Sequence, residues 1–556
     1  MENKIRFFAL GGLGEDGKNL YCLYINNSVF IVDAGLKYPS SDLFGVDEII
    51  PNFNSLVRVK NLIKGIFLSH AHEDHIGAVG YILKEINIPV YASEFTLTIL
   101  KNNLTLNDVD YHDFEFHEID ENSIINFEDA TFSFFKVGHS IPGCLGLCIN
   151  TFKGNIIYTS NFNFIQTRDG NYLTDLDKLC QIAKEGVFLL LIESLGTFTY
   201  GNDSSSFLFK TKLDSIFSNA NHRIIISLFS SNLRLIQDVI DLCNQYNKKI
   251  GLRGKKGQKL VDIAIDKGLI KIDENKLYRF NEESLEENEI EDLVVLVLGV
   301  RNEPYFMLQN MYNNTDKFIR FTSDDTVIIL TPPATGIEKM AAKTLDLLYR
   351  TNSNIKTIDK TLFPTTHATI EEIKMMINIL KPHYIIPIIG EYRHLYTLKN
   401  IAKELDYDNN HCFVLENGDM LYVEEQKIFA SHGDVGVSEI LIDGTPVNDI
   451  GDQIMKDRLA LSENGTLIIV AHIEQESRKL LSNIELVTKG FVYLEQSEEI
   501  LASIKKRFID ITLRYLKVIK VLDSNDYRKF IKENLKEFIF DLTKRSPVII
   551  PLSVFI

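Results

Sequence analysis

Residues 68–77 read LSHAHEDHIG, Leu68-Ser-His-Ala-His-Glu-Asp-His-Ile-Gly77, and put His70, His72, Asp74 and His75 within six positions. An apolar run, GIFLS, leads into the stretch, and IGAVGYILKEI, with apolar residues at helical spacing, leads out of it. The pattern predicts a buried strand, a ligand-bearing loop and a helix. In an extended loop His70 and His72 alternate so that both imidazoles can converge on one cation, while Asp74 and His75, where the helix begins, face a second position. Four polar residues in an exposed loop are the bland alternative, but chance seldom sets such a group between a buried strand and an amphipathic helix.

The chain that carries this stretch has 556 residues, 45% hydrophobic and 24% charged, which suits a soluble globular protein of about two to four domains. The first residues, MENKIRFFALGGLGEDG, turn acidic early and hold no long apolar core, so a secretory signal is not expected, and no apolar run reaches the length of a membrane span. Six cysteines without a CxxC pair read as reduced cytosolic thiols and place the protein in the cytoplasm; Cys144 and Cys148 read as small buried hydrophobes. A net charge of −17 argues against non-specific coating of nucleic acid. A local basic run, Lys505, Lys506, Arg507, Arg514, Lys517 and Lys520, then Arg528, Lys529, Lys532 and Lys536, reads as a solvated helix face.

Short strands open the chain (IRFFAL, NLYCLYI, SVFIVDAG), and strands with turns follow the histidine stretch as far as LLLIES near Glu193. From about 200 to 350 helices alternate with buried strands such as RIIISLF, DLVVLVLG and TVIILTPP, an α/β unit of its own. Strand and helix alternate again over 355–425, and a small α/β segment ends the chain with TLIIVAHI, a long helix from about 494 to 520, and PVIIPLSVFI. Gly12-Leu-Gly14-Glu-Asp-Gly17 fits a dinucleotide fingerprint in letters, but β-rich NLYCLYINNSVFIVD follows where a helix is required, so it reads as a turn between strands.

HAHEDH resembles the second motif of the metallo-β-lactamase superfamily. Asp33 in IVDAG matches the first motif, which orients a ligand histidine, and His139 in VGHSIPG matches the third, which joins His70 and His72 on one ion. The resemblance narrows with GGLGEDGKNLY, HATIEEIKMMINILKPHYIIPIIGEYRHL and VSEILIDGTPVNDIGDQIMKDRLALSENG, which are similar to ribonuclease J, the bacterial β-CASP branch that processes and degrades RNA, and specifically to its less active second paralogue type. This likeness implies an α/β fold: a four-layer αββα metallo-β-lactamase domain (1–200 and 353–425), an inserted α/β β-CASP domain (201–352), a linker (426–440) and a small C-terminal α/β oligomerisation domain (441–556). It also implies Glu193 as the first β-CASP acidic residue, His367 as the proton donor to the leaving 3′-oxygen, and Ser231 and Asn232 in FSSNLRLIQ as a nucleotide-binding turn; with one ion bound, Asp74 is free to position the attacking water instead of holding a second metal.

The departures from that family pattern decide the expected activity. Asn161 stands where a bridging aspartate is expected, Ile389 where a metal histidine is expected before Gly390, Arg301 and Asn302 in the Gly-rich turn, and Ala368 and Thr369 in the phosphate cradle after His367. His70, His72 and His139 still suffice for one zinc ion; manganese or magnesium are alternatives. A second ion keeps Asp74 and His75 alone. Two dications about 4 Å apart repel by roughly 4 × 4 kcal/mol at an effective dielectric of about 20, so losing an anion and a ligand leaves that position weak. His383 and His394 flank Ile389 and carry little weight as substitutes. The expected partners are RNA and either further copies of the chain or a fully active paralogue, with no membrane. A fully active one-metal ribonuclease and a DNA-acting β-CASP nuclease are the alternatives.

Overall fold

The computed structural model describes residues 4–555 apart from 40–42, 44, 166–168, 201–202, 281–291, 334–335, 425–426, 445–451, 475, 482–483, 492–497 and 520–522. Lys520 and the TPVNDIG part of the C-terminal phrase lie outside the described residues. The chain divides into two compact units, Met1–Ser40 with Asp47–Leu441, and Ser41–Val46 with Ile442–Ile556.

In the first unit the β-rich opening forms hairpins as its pattern predicts. Leu20–Ile25 pairs antiparallel with Ser28–Val32 across a tight turn in which Asn26 takes φ +51, a conformation asparagine tolerates. These strands belong to an eight-stranded sheet in the order Lys427–Ser431, Met420–Glu424, Ile5–Gly11, Leu20–Ile25, Ser28–Val32, Ile63–Phe67, Val90–Ala92, Phe116–Glu118. A six-stranded sheet runs Tyr384–Ile388, Val187–Glu193, Gly154–Tyr158, Leu145–Thr151, Thr131–Lys136, Ile124–Asn126. The two sheets bury one apolar core between them: Phe67 of the first stacks on Phe132 of the second at 4.1 Å between ring centroids, with Phe30 4.8 Å from Phe132. Helices Leu176–Glu185 and Tyr392–Glu404 pack on strands of the six-stranded sheet, and Glu94–Leu106 packs against Phe116–Glu118 of the eight-stranded one, so the layers follow an αββα order.

Strands Val187–Glu193 and Tyr384–Ile388 are parallel neighbours, so the chain leaves the sandwich at Glu193 and returns beside it. Most of the intervening segment folds on its own parallel sheet, ordered Leu277–Tyr278, Lys249–Arg253, Leu293–Gly299, Ile224–Phe229, Thr326–Ile329, Asn354–Thr357. Leu293–Gly299 is buried along its whole length, which explains its unbroken apolar run.

Two expected domain limits differ from the structure. Asn354–Thr357 pairs with Thr326–Ile329 and so belongs to the inserted sheet, beyond the limit of 352; it is a short, partly exposed edge strand with little pattern to betray it. The segment 426–440, expected to be a linker, carries Lys427–Ser431, which pairs antiparallel with Met420–Glu424 and extends the first sheet. The GxGxxG stretch lies between strands Ile5–Gly11 and Leu20–Ile25, as a turn, and its Leu13–Gly14 pairs with Gly390–Glu391.

The second unit is a four-stranded sheet with Thr466–Glu474 at its centre, Val548–Phe555 parallel on one side and Lys479–Leu480 and Glu485–Lys489 antiparallel on the other. Helices Glu498–Val518 and Ser524–Thr543 bury Phe508, Tyr515, Ile531 and Leu535 in its core. On their outer faces Lys506, Arg514, Lys517, Lys529, Lys532 and Lys536 are exposed among Asp510, Glu533 and Glu537, a solvated mixed-charge surface. No helix among the described residues is long and apolar enough to cross a membrane.

Candidate metal centre

Strand direction gathers the site. Ser28–Val32 and Ile63–Phe67 run parallel, and in the other sheet Gly154–Tyr158, Val187–Glu193 and Tyr384–Ile388 do so. The residues that follow these strands, Asp33, His70, Asn161, Glu193 and Ile389, therefore collect on the rim at the strands' carboxyl ends, the usual location of a site in such sheets.

His70, His72 and His139 form the one metal-competent cluster among the described residues, all three ligand atoms lying within 4.8 Å of one another. His70 Nε2 and His139 Nε2 each lie 3.1 Å from His72 Nδ1. The opposite nitrogens are tied back. His139 Nδ1 donates to the Thr366 carbonyl at 2.7 Å and His72 Nε2 to the Ser231 carbonyl at 3.2 Å, while His70 Nδ1 meets Ser69 Oγ at 3.0 Å and Ser160 Oγ at 3.2 Å. Such partners select the tautomer that leaves a lone pair facing inward. Burial, reinforced by the neighbouring imidazoles, holds His70 and His139 well below the usual histidine range; burial also lowers His72. Three neutral, convergent imidazoles are the donor set that zinc prefers, and the cluster fits it.

Asp33 is fully buried and takes φ +57. Its carboxylate accepts from Ser69 N at 2.7 Å, Ser69 Oγ at 2.9 Å, His75 Nδ1 at 2.7 Å and the Tyr158 hydroxyl. It thus reaches His75 directly and His70 through Ser69. Asp74 and His75 are joined to each other, His75 Nε2 lying 3.1 Å from Asp74 Oδ2, and Asn19 Nδ2 donates to the same oxygen at 3.2 Å. Burial works against the charged imidazole, but Asp74 and Asp33 push His75 up to about 10. Burial likewise opposes ionisation of Asp74, and His75 outweighs it and holds the carboxyl well below its ordinary value.

Asn161 is buried, and its Oδ1 has no hydrogen-bond partner among the described residues, an uncommon state for a buried amide oxygen. Ile389 is fully buried at φ +53. A β-branched residue in this left-handed region is a genuine outlier. The surroundings impose it: Ile389 N donates to the Gly12 carbonyl at 3.0 Å, and its own carbonyl accepts from Ser194 Oγ at 3.0 Å. Neither flanking histidine reaches in. His383 is exposed, and His394 Nδ1 accepts from Glu391 N at 3.1 Å as part of a helix cap.

Glu193, fully buried, accepts from Phe162 N at 2.7 Å and Ala368 N at 3.1 Å on one oxygen and from His367 Nδ1 at 3.0 Å on the other. Although burial disfavours the imidazolium, Glu193 raises His367 above its ordinary value. The ring lies 5.5 Å from that of His139, centroid to centroid. Residues expected to bind nucleotide or phosphate have internal duties. Ser231 gives its carbonyl to His72, Asn232 caps the helix Leu233–Gln245 by accepting from Leu235 N at 3.0 Å, and Ala368 N is spent on Glu193. Thr369 caps Ile370–Leu380 in a reciprocal box with Glu372, which accepts from Thr369 N at 2.8 Å. Arg301, at φ +47, donates to the Pro39 carbonyl at 2.9 Å and lies 5.3 Å over the Tyr38 ring; Asn302 stands at the start of helix Glu303–Tyr312.

Sequence reasoning missed Asn19, Ser69, Tyr158 and Ser140, whose Oγ lies 3.3 Å from His72 Nε2. Asn19 and Ser69 stand inside quoted motifs and Tyr158 stands three residues before Asn161, which was the available signal; the bond from Tyr158 to Asp33, 125 positions away, left none.

Four family models match the chain: the beta-lactamase superfamily domain over residues 31–180, the ribonuclease J beta-CASP domain over 221–348, the Zn-dependent metallo-hydrolase RNA specificity domain over 364–414 and the ribonuclease J C-terminal domain over 453–555. The chain is similar to ribonuclease J 2 of Streptococcus pyogenes serotype M3, 34% identical over 99% of each chain. It is 33% identical to ribonuclease J2 of Bacillus subtilis strain 168 and 31% identical to ribonuclease J 2 of Staphylococcus aureus NCTC 8325, in both cases over 99% of this chain and 98% of the relative. A crystal structure of a protein of unknown function from Enterococcus faecalis V583 shares the fold at a TM-score of 0.53 and 14% identity, over 76% of this chain and all of that one.

Proposed function

The chain belongs to the ribonuclease J family, of its J 2 type, and we propose that it is a metal-dependent RNA-processing and RNA-degrading protein whose nuclease activity is weak because its second metal position is degraded. The observation that carries the reading is the contrast between the two halves of the site. Three inward imidazoles stand ready on one side, while on the other Asp74 and His75 satisfy each other, Asn161 offers an uncharged oxygen and Ile389 offers no donor.

His70, His72 and His139 would hold one zinc ion, which when bound would supply Lewis acidity to a water and to the phosphoryl oxygens. Asp74, ionised and fixed by Asn19 and His75, orients the attacking water. His367, aligned by Glu193 and half-exposed at the site, gives its proton to the leaving 3′-oxygen. With Ala368 N and Thr369 N already bonded to Glu193 and Glu372, few donors remain to cradle a 5′-phosphate. The intact Glu193–His367 pair favours a second reading, a working one-metal ribonuclease. In the preferred reading the chain serves in the cytoplasm as a partner subunit of a fully active paralogue, assembled through residues 441–556.

Turnover of 5′-monophosphorylated RNA by the purified chain separates the two. We expect degradation at least about a hundredfold slower than by an intact two-metal relative, the equivalent of roughly 2.7 kcal/mol in barrier. Equal rates would end the partner-subunit reading.

A further inference from the structure

A cleft opens beside the histidine cluster, lined by His139, Ser140, Asn232, Arg234, Asp238 and Thr366 among others. Arg234 is the second residue of helix Leu233–Gln245, and its backbone N donates to the Ser140 carbonyl at 3.1 Å, which anchors the start of the helix beside the loop that carries His139. The guanidinium is half-buried and makes no hydrogen bond or ion pair with any described residue. The acid one turn on, Asp238, is bonded instead to Lys210 at 2.8 Å. Close to both, the buried Tyr172 hydroxyl also lacks a partner. Burial lowers the Arg234 pKa, and Asp238 and Tyr172 offset that cost only in part.

Five donors in a rigid fork, left unspent at the wall of a cleft, match one kind of ligand best: the paired non-bridging oxygens of a phosphate. We propose that Arg234 binds a backbone phosphate of single-stranded RNA lying in this cleft, next to the position where His139 faces the cluster. The assignment rests on the chain acting on RNA, but it does not depend on how many metal ions the site holds. It adds a charged contact to the turn expected to bind nucleotide, whose Ser231 carbonyl and Asn232 Oδ1 are committed elsewhere.

The test is RNA affinity, not cleavage. The full chain, kept in chelator, is titrated against a labelled single-stranded RNA by fluorescence anisotropy over a range of salt. Arg234→Ala should weaken binding by roughly tenfold, as expected for a charge-assisted contact. It should also flatten the slope of log K against log salt by about 0.7, the share of one phosphate on a single strand. Arg234→Lys should restore the slope but recover only part of the affinity, since it keeps the charge and loses the fork. Thermal unfolding of both variants should match the parent, because no internal bond is removed. Unchanged affinity in Arg234→Ala overturns the assignment, as does weaker binding with an unchanged slope, which marks a structural role. Stabilisation by inorganic phosphate that is lost in Arg234→Ala, with RNA affinity intact, would show a site for free phosphate and also overturn it. A parent chain that binds no RNA at all refutes the RNA reading itself, and this assignment with it.

Discussion

Asp33→Ala should destabilise the first unit by about 3–5 kcal/mol, the scale on which breaking one partner of a buried charged network is felt. The carboxylate accepts from four donors that have been taken out of water: Ser69 N, Ser69 Oγ, His75 Nδ1 and the Tyr158 hydroxyl. Alanine leaves all four without that partner, and each buried orphan costs about 1–3 kcal/mol. It must also adopt φ +57, which aspartate tolerates far better. Ser69 links Asp33 to His70, so the substitution should loosen the histidine cluster as well as the fold. Urea unfolding followed by a probe in the first unit measures the loss, and Asp33→Asn, which keeps an acceptor oxygen and the backbone tolerance, should fall between. A loss under about 1 kcal/mol would show that these donors find other partners.

The second large effect is a gain. Asn161→Asp together with Ile389→His should add a second metal ion and raise RNA cleavage on the order of a hundredfold, since metal charge at a phosphoryl centre is worth several kcal/mol. The backbone is prepared for both changes. Asn161 Oδ1 is buried and unpartnered, so an aspartate there displaces no existing bond of that oxygen. Ile389 already holds φ +53 under hydrogen bonds from its surroundings, and histidine accepts that conformation more readily than a β-branched residue. The aspartate alone would bury a further carboxylate without its counter-ion, so the double variant should gain more thermal stability on adding zinc than the parent does. Each single change should achieve little, because one restores charge and the other a donor. Metal uptake without faster cleavage would place the remaining defect at Arg301, Ala368 and Thr369; no uptake would show that the second position is lost for reasons beyond these two side chains.

What the amino-acid order reveals of this site follows the range of the interactions. His70, His72, Asp74 and His75 are legible because one loop carries them all, and the capping box at Thr369 is legible because Thr369 and Glu372 are three residues apart. The Ser231 carbonyl that ties back His72 is not, since a backbone group leaves no mark in side-chain pattern and comes from 159 positions away. The left-handed conformation of Ile389 is hidden too: the residue type argues against it, and bonds to Gly12, Tyr21 and Ser194 enforce it. The limits near 352 and 425 moved for a related reason. Asn354–Thr357 and Lys427–Ser431 are edge strands, whose weak alternation becomes a strand only when a neighbour supplies the other half of the ladder.

Metal content tests the central claim most directly. The chain, purified without chelator, exhaustively dialysed and analysed by inductively coupled plasma mass spectrometry, is expected to retain about one zinc per polypeptide, bound by the His70, His72 and His139 imidazoles, and to lose it in His139→Ala. Two tightly held ions per polypeptide would contradict the account.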